Sequence, residues 1–562
     1  MNRTCVLLRL PGYPFQLDAL LPDRRLAEAA AVLDGLGARF VTLDLGTPDL
    51  VTQVVPFEHR AITRRIVDRF LDPVEPGGVA DLQVLWALRT THRAFLRLRG
   101  QACAAAAENA GRHRPDLVCL SVHTMDDVAA ARLVAERIVG ARSGVRVVLM
   151  GAAAESWRGR LLDNCPACCG VIWGPMGSVL PRLLRSGSTP TDAAGFSART
   201  SAGSSQWTLR PGQDLVTAED ARTPPAYDPT LYPALADRAA KLQIFEINDR
   251  PAAGSASTDG YAIREADEDA GLPSIASHCD TIEAVMDQLG ARAFHFDADS
   301  ASERRAAALH MGLTHRNLNP VFSRSCHVPR TSPQAMALLR RCGCEAVRLR
   351  IESGSQRLLE DYYGYDTTVT HAEATFLAAR DAGLFAVAEF GYPAPADDRH
   401  TAAETLRLAV RTGLQAAVVR LPFPATTGAW ARDPERFGFA AAEPRPPAPT
   451  RFPLPVDRWQ LPACRHGNRS HGEVVHAQEQ FIADLAQCGV NTTGSEHLAL
   501  IARALGSGAC TAEFATRVVR MLYTGDAESL RSLVRQFNDA ARTMPAPAVQ
   551  TESSPVRRAV GD

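Results

Sequence analysis

The sequence predicts an α/β protein made of two parallel sheets followed by a helical region. Three observations carry that reading: short apolar segments alternate with amphipathic helical ones in two separate series, a polar stretch divides the series, and the final part loses the strand signal. At 562 residues, 46% hydrophobic and 22% charged, the chain is long enough to bury several cores.

The first series opens with Thr4–Leu10, an apolar run ending in Pro-Gly. Leu26–Leu36 follows as a helix, with Leu26, Ala29, Ala30, Leu33 and Leu36 on one face, and Arg39–Leu43 is the next strand. Leu71–Ala110 reads as a long helical excursion. Asp116–Val122, Val145–Met150 and Val171–Trp173 are strands, and Ala129–Val139 is a helix between the first two. Crossover helices must cover both faces of such a sheet, which gives a doubly wound, Rossmann-like domain over residues 1–185.

Ser186–Gln206 is too polar and too rich in small residues to bury itself, so 186–238 reads as a linker with a proline-rich exit. The second series has strands at Leu242–Ile247, Ala293–Asp297, Pro320–Ser323, Ala346–Ile351, Leu384–Phe390 and Ala416–Leu421. Helical segments Ser277–Leu289, Pro333–Arg341 and His371–Ala382 lie between them. Six such units predict a partial (β/α)6 barrel over 239–432. Residues 433–544 turn proline-rich and then helical, at Val474–Ala486 and Glu496–Leu505, and 545–562 reads as a disordered tail.

Sixty-one basic and 62 acidic residues are interspersed, so no bulk field selects nucleic acid or an anionic membrane. Only Lys241 among the basic residues is a lysine, and the arginine excess is read as compositional. There is no secretion signal and no apolar run of about 18 residues, which predicts a cytoplasmic protein. Thirteen scattered cysteines fit reduced thiols. The run CPACC at Cys165–Cys169 offers only three thiols just before a buried strand, where Cys packs as a small hydrophobe, so no metal site is predicted.

Ligands of an open α/β sheet bind beyond the carboxyl ends of its strands. The loops there are Ser121–Asp127, Gly151–Trp157 and Gly174–Ser178; Ser121, His123, Thr124, Gly151, Ala152, Gly174 and Pro175 are the candidate cofactor-binding residues, small enough to admit a bulky planar ligand or able to hydrogen-bond it. By order and spacing this domain resembles the cobalamin-binding domain that precedes many radical S-adenosylmethionine (SAM) barrels. It lacks the Asp-x-His-x-x-Gly motif of methionine-synthase-type domains, so the resemblance implies cobalamin bound without a lower histidine ligand. A Rossmann-like domain without a ligand is the alternative.

The segments GCEAVRLRIESGSQRLLEDYYGYDTTVT, AGLFAVAEFGYPAPAD and VVRLPFPATTGAW resemble the second half of the radical SAM barrel. The resemblance implies that Glu352 and Ser353 line SAM, that Glu389, Gly391 and Tyr392 lie near its nucleoside, and that PFPATTG forms the turn after the sixth strand. The CxxxCxxC loop of that family is absent. By spacing its ligands fall near Arg250, Gly254 and Ser257, and no cysteine stands between Cys169 and Cys279. An iron–sulfur cluster needs thiolates, so no 4Fe–4S cluster is expected.

Strand ends at the barrel mouth carry many ionisable groups, among them Asp249, Arg250, Asp297, Asp299, Arg324, His327, Arg350, Glu352, Glu389 and Arg420. Glu352, Glu389 and His327 are the candidate acid/base residues. An inert rim of mutually paired charges is the alternative. The expected function is a cobalamin-binding, radical-SAM-like biosynthetic enzyme using two-electron chemistry, such as methyl transfer, on a small-molecule or peptide substrate. Two alternatives stand beside it: a catalytically silent cobalamin- or substrate-binding partner of another enzyme, and a barrel repurposed for metal-free rearrangement or condensation.

Overall fold

The computed structural model describes residues 3–10, 16–71, 82–185, 195–199, 223–250, 272–422, 430, 433–440, 452–453, 465–508 and 510–544. Two six-stranded sheets organise it. The first comprises β1 (Thr4–Arg9), β2 (Arg39–Asp44), β3 (Leu117–Ser121), β4 (Arg146–Met150), β5 (Gly170–Ile172) and β6 (Phe196–Ala198), in the order β2-β1-β3-β4-β5-β6. All pair in parallel except β6, which runs antiparallel to β5. β1 and β3 are neighbours whose connections leave to opposite sides, so the crevice of this sheet lies beyond their carboxyl ends.

β6 falls within the segment read as linker. The polar composition hid an aromatic anchor: Phe196 is buried against Gly170, where an added Cβ would meet its ring at 2.1 Å, and the strand completes hydrogen bonds along β5. Tyr227 and Tyr232, further along the same segment, are also buried. The tail 545–562 and the turn 423–429 lie outside the described residues, as does most of the loop after the first barrel strand.

The second sheet holds β7 (Ile244–Asp249), β8 (Ala293–Ala298), β9 (Val321–His327), β10 (Cys344–Arg350), β11 (Phe385–Gly391) and β12 (Ala416–Arg420), all parallel and in chain order. Every predicted strand of this series is present. Helices Glu303–His315 and Arg399–Thr412, which the sequence reading did not single out, complete the crossovers.

The C-terminal helices tie the two sheets together. Helix Glu496–Ala504 buries Leu498, Leu500 and Ile501 in one core with Ile244, Ala293, Val321 and Ala346, which begin the barrel strands. Helices Ala512–Thr524 and Ala527–Thr543 reach back to the first domain: Arg520 pairs with Asp68 at 2.6 Å, Arg531 pairs with Asp49, and Arg60 donates to the carbonyls of Thr524 and Gly525 at 2.6 and 2.8 Å. No described helix is long and apolar enough to cross a membrane.

Lys241, the one lysine of the chain, is fully buried just before β7. Its Nζ lies 2.8 Å from Asp44 Oδ2 at the end of β2 and donates to the carbonyls of Gly46 and Ala19 at 2.8 and 3.3 Å. Tyr232 donates to the same carboxylate. Burial lowers the lysine to about 8, with Asp44 opposing. Lys241→Ala is expected to destabilise the protein by about 3–5 kcal/mol because it strands a buried carboxylate; Lys241→Met combined with Asp44→Asn should recover part of that loss. Thermal denaturation of the three proteins measures both.

Candidate active site between the two sheets

The carboxyl ends of both sheets face a common cavity of about 760 Å³. From the first domain it is bordered by His123, Thr124, Ala152 and Glu155, and from the barrel by Glu246, Asp297, Arg348, Arg350, Glu389 and Arg420. Alternate residues of a barrel strand point inward. Where a barrel of this kind is usually filled by branched apolar side chains, this one presents charge.

Those charges are paired. Arg250 lies 2.7 Å from Asp297 and 3.6 Å from Asp299, and Arg350 lies 3.7 Å from both Asp299 and Glu352. Glu389 is 3.1 Å from Arg420 and 3.5 Å from Arg348, which also meets Glu496 at 2.8 Å. Arg24 of the first domain reaches Glu246 of β7 at 2.7 Å, an ion pair that joins the two rims, while Arg25 meets Glu155 within the first domain at 2.8 Å.

Burial raises Glu389, but Arg420, Arg348 and Arg350 outweigh it and pull the carboxyl down to about 2. It is a fixed anion near neutrality, with too weak a hold on a proton for efficient acid/base work. Asp297 behaves oppositely: burial and the neighbouring carboxylates of Glu246 and Asp299 push it up to about 6 against the pull of Arg250.

His327 and Glu352 stand together beside the cavity without bordering it. His327 Nε2 is 3.4 Å from Glu352 Oε2 and 3.1 Å from the Tyr365 hydroxyl. Burial lowers the imidazole below its usual range, while His327 and Arg350 hold Glu352 low against burial. Gly391 closes over this pair: its N–H donates to the Glu352 carbonyl at 2.9 Å, and an added Cβ would meet Pro422 at 3.3 Å.

Ser353 is occupied by the fold. Its hydroxyl lies 3.3 Å from Thr405 Oγ1 and accepts from the Ser355 N–H at 3.2 Å, which fixes the close approach of Gly354 to helix Arg399–Thr412. Tyr392 is half-buried, its ring 4.4 Å from that of Phe481 on helix His471–Gln487.

The first-domain residues divide in the same way. Ser121 donates to Asp23 Oδ2 at 2.5 Å, and His123 Nε2 lies 2.8 Å from the same oxygen. That contact raises His123 against burial and, with Arg9 and Ser121, holds Asp23 far below the carboxylate range. Thr124 caps helix Met125–Ala141 by accepting from Asp127 N–H. Gly151 has φ 106° and sits where a Cβ would strike the Val122 carbonyl at 2.5 Å. Gly174 packs against Gly195 at a distance that excludes a Cβ, so with Pro175 it belongs to the β5–β6 junction and does not border the cavity. His123, Thr124 and Ala152 do border it.

Sequence reasoning missed Asp23, which organises Ser121 and His123 from a separate element, and missed His295, Arg348, Glu496 and His497. For His295 and Arg348 the signal was present: each precedes a chosen mouth residue by two, on the same face of its strand. Nothing local marked the turn before helix Glu496–Ala504 as part of the site.

The described cysteines form no cluster of three ligands. Cys326 borders the cavity as a buried thiol pushed up by burial, and Cys342 and Cys344 lie buried where β10 begins. Cys165 donates to the Val128 carbonyl at 3.4 Å.

A Rossmann-like domain and a partial barrel opening into one cavity make this a two-sheet α/β protein. The fold matches TsrM, a radical SAM methyltransferase from Kitasatospora setae solved with cobalamin and a 4Fe–4S cluster, at TM-score 0.54 and 14% identity over 94% of this chain and 99% of that one. The cobalamin-dependent SAM radical enzyme OxsB, solved with aqua-cobalamin and SAM, aligns at TM-score 0.48 and 12% identity over 75% of this chain and 53% of that one. No protein-family model matches the sequence, and neither does any curated protein.

The raised Asp297 carboxyl is open to direct measurement. In the infrared difference between the wild type and Asp297→Asn, its protonated carbonyl band should disappear with a midpoint near pH 6, and Arg250→Leu should move that midpoint higher because the opposing cation is gone.

Proposed function

We propose that this chain is a cobalamin-binding, radical-SAM-like biosynthetic enzyme that works without a 4Fe–4S cluster, by two-electron steps such as methyl transfer to a secondary-metabolite intermediate. The observation that carries the reading is the shared cavity: the carboxyl ends of both sheets open into it, which is where this architecture binds a cofactor from one side and a charged co-substrate from the other. The likeness to TsrM over nearly the whole of both chains supports it. The cluster-free part rests on the sequence, which offers no cysteine from Cys169 to Cys279.

His123, Thr124 and Ala152 would hold cobalamin; their position on the first-domain rim of the cavity supports this. Ser121, Gly151, Gly174 and Pro175 are engaged in the fold beneath it. When bound, the corrinoid supplies a cobalt centre that passes a methyl group without unpaired electrons. The family resemblance would set SAM against Glu352, Gly391 and Tyr392, which lie beside the cavity and not on its lining, with the Ser353 hydroxyl already engaged by Thr405.

The protein's own contribution is orientation and proton control. Arg348, Arg350 and Arg420 around Glu389 present a rigid field of guanidinium groups that can anchor a carboxylate of the substrate. Asp297, with its raised carboxyl, is the group best matched to taking or returning a proton near neutrality. His327, 3.4 Å from Glu352, serves as a hydrogen-bonding partner that keeps that carboxylate in place. One feature favours the second reading, a binding partner of another enzyme: Asp297, Asp299, Glu352 and Glu389 each already face an arginine.

Anaerobic purification followed by visible spectroscopy and iron and sulfide assays tests the proposal. A red protein with corrinoid bands and no stoichiometric iron or sulfide is expected; stoichiometric iron with the electron-paramagnetic signal of a reduced four-iron centre refutes the cluster-free mechanism. Glu352→Gln and Glu389→Gln should each weaken SAM or substrate binding by about 10- to 100-fold with the fold intact, read by calorimetry alongside circular dichroism. Normal affinity and turnover in both variants would place the site elsewhere.

A further inference from the structure

The deep end of the cavity holds a group of side chains that the proposed chemistry does not use. His295 of β8 and the adjacent Glu496 and His497, in the first turn of helix Glu496–Ala504, are all buried, and one donor atom from each lies within 4.8 Å of the others. His295 precedes Asp297 by two residues and so lies lower in the barrel, and all three residues border the cavity.

Their hydrogen bonds leave lone pairs available. His497 Nδ1 is 2.9 Å from Asp18 Oδ1, so it carries a proton for the carboxylate to accept. His497 Nε2 is buried and has no hydrogen-bond partner, although only 5% of the residue is exposed. His295 Nδ1 lies 2.9 Å from Ser323 Oγ, and its Nε2 has only a 3.4 Å approach to Ser325 Oγ. Arg348 meets Glu496 twice at 2.8 Å, both times on Oε2, which leaves Oε1.

We propose that His295, Glu496 and His497 form a binding site for a borderline divalent transition-metal ion such as zinc, with its remaining coordination positions open to the cavity. Two imidazoles and one carboxylate suit such an ion better than magnesium or calcium, which prefer oxygen ligands. The carboxylate of Asp18 behind His497 fixes the ring's orientation and tautomer, as outer partners of metal-bound histidines do. Tetrahedral zinc holds its ligand atoms roughly 3.3 Å apart, so the three side chains draw inward on binding. An ion there would polarise a carbonyl or hydroxyl oxygen of whatever occupies the cavity. The site stands on these residues alone and does not depend on the corrinoid reading.

The test uses the full-length, tag-free protein stripped with a chelator and titrated with zinc by calorimetry, with elemental analysis after desalting. One zinc per chain is expected. His295→Ala and His497→Gln should each weaken binding by at least about 100-fold, and Asp18→Asn by about 10- to 100-fold. A wild type that takes up no stoichiometric zinc overturns the proposal, and so does one-per-chain binding that survives the double His295→Ala/His497→Gln change. Zinc-edge X-ray absorption on the loaded wild type reads the ligands without any substitution: two imidazole nitrogens are expected, and sulfur scattering places the ion on cysteine and refutes the site.

Discussion

The buried contact between Asp44 and Lys241 is the constraint on which the arrangement of this protein depends. Asp44 closes β2 of the first sheet, and Lys241 enters β7, the first strand of the barrel. A single ion pair in a dry environment is a poor source of net stability, because desolvation offsets much of its attraction. It is strongly directional, however, since either charge alone would be far costlier to bury. The carbonyls of Gly46 and Ala19 and the hydroxyl of Tyr232 satisfy what remains, so the carboxyl end of β2 is fixed against the amino end of the first barrel strand in one orientation.

The cavity follows from that orientation. Each sheet alone would present a rim of charged strand ends to water, where ion pairs contribute little. Facing each other, the rims enclose a cavity, and the same pairs acquire distinct roles. Glu389 among three arginines becomes a permanent anion, whereas Asp297, with carboxylates nearby, retains a proton to about 6. The C-terminal helices complete the enclosure: helix Glu496–Ala504 closes the barrel from below, and its successors grip the first domain.

The strands were legible because parallel strands covered on both faces are short, apolar and bounded by turn residues, and the order of the barrel followed from their alternation with helices. The mouth residues followed from the rule that chemistry collects at carboxyl ends of strands. Less was visible where a residue's role depends on a distant partner. Ser121, Gly174 and Ser353 looked like ligand contacts by position, yet Asp23, Gly195 and Thr405 claim them. β6 was hidden because one aromatic side chain and an edge of free backbone groups recruited an otherwise polar segment.

The sequence by itself determined the two α/β series, the strands that compose them and the absence of the CxxxCxxC spacing, because periodicity and covalent order are local properties. Tertiary structure alone decided which charges neutralise one another, which carboxyl keeps its proton, and that His295 meets Glu496 and His497 from a distant part of the chain. Electrostatic energy and ligand geometry depend on distance in space and on burial, and neither quantity is written in the spacing of residues along the chain.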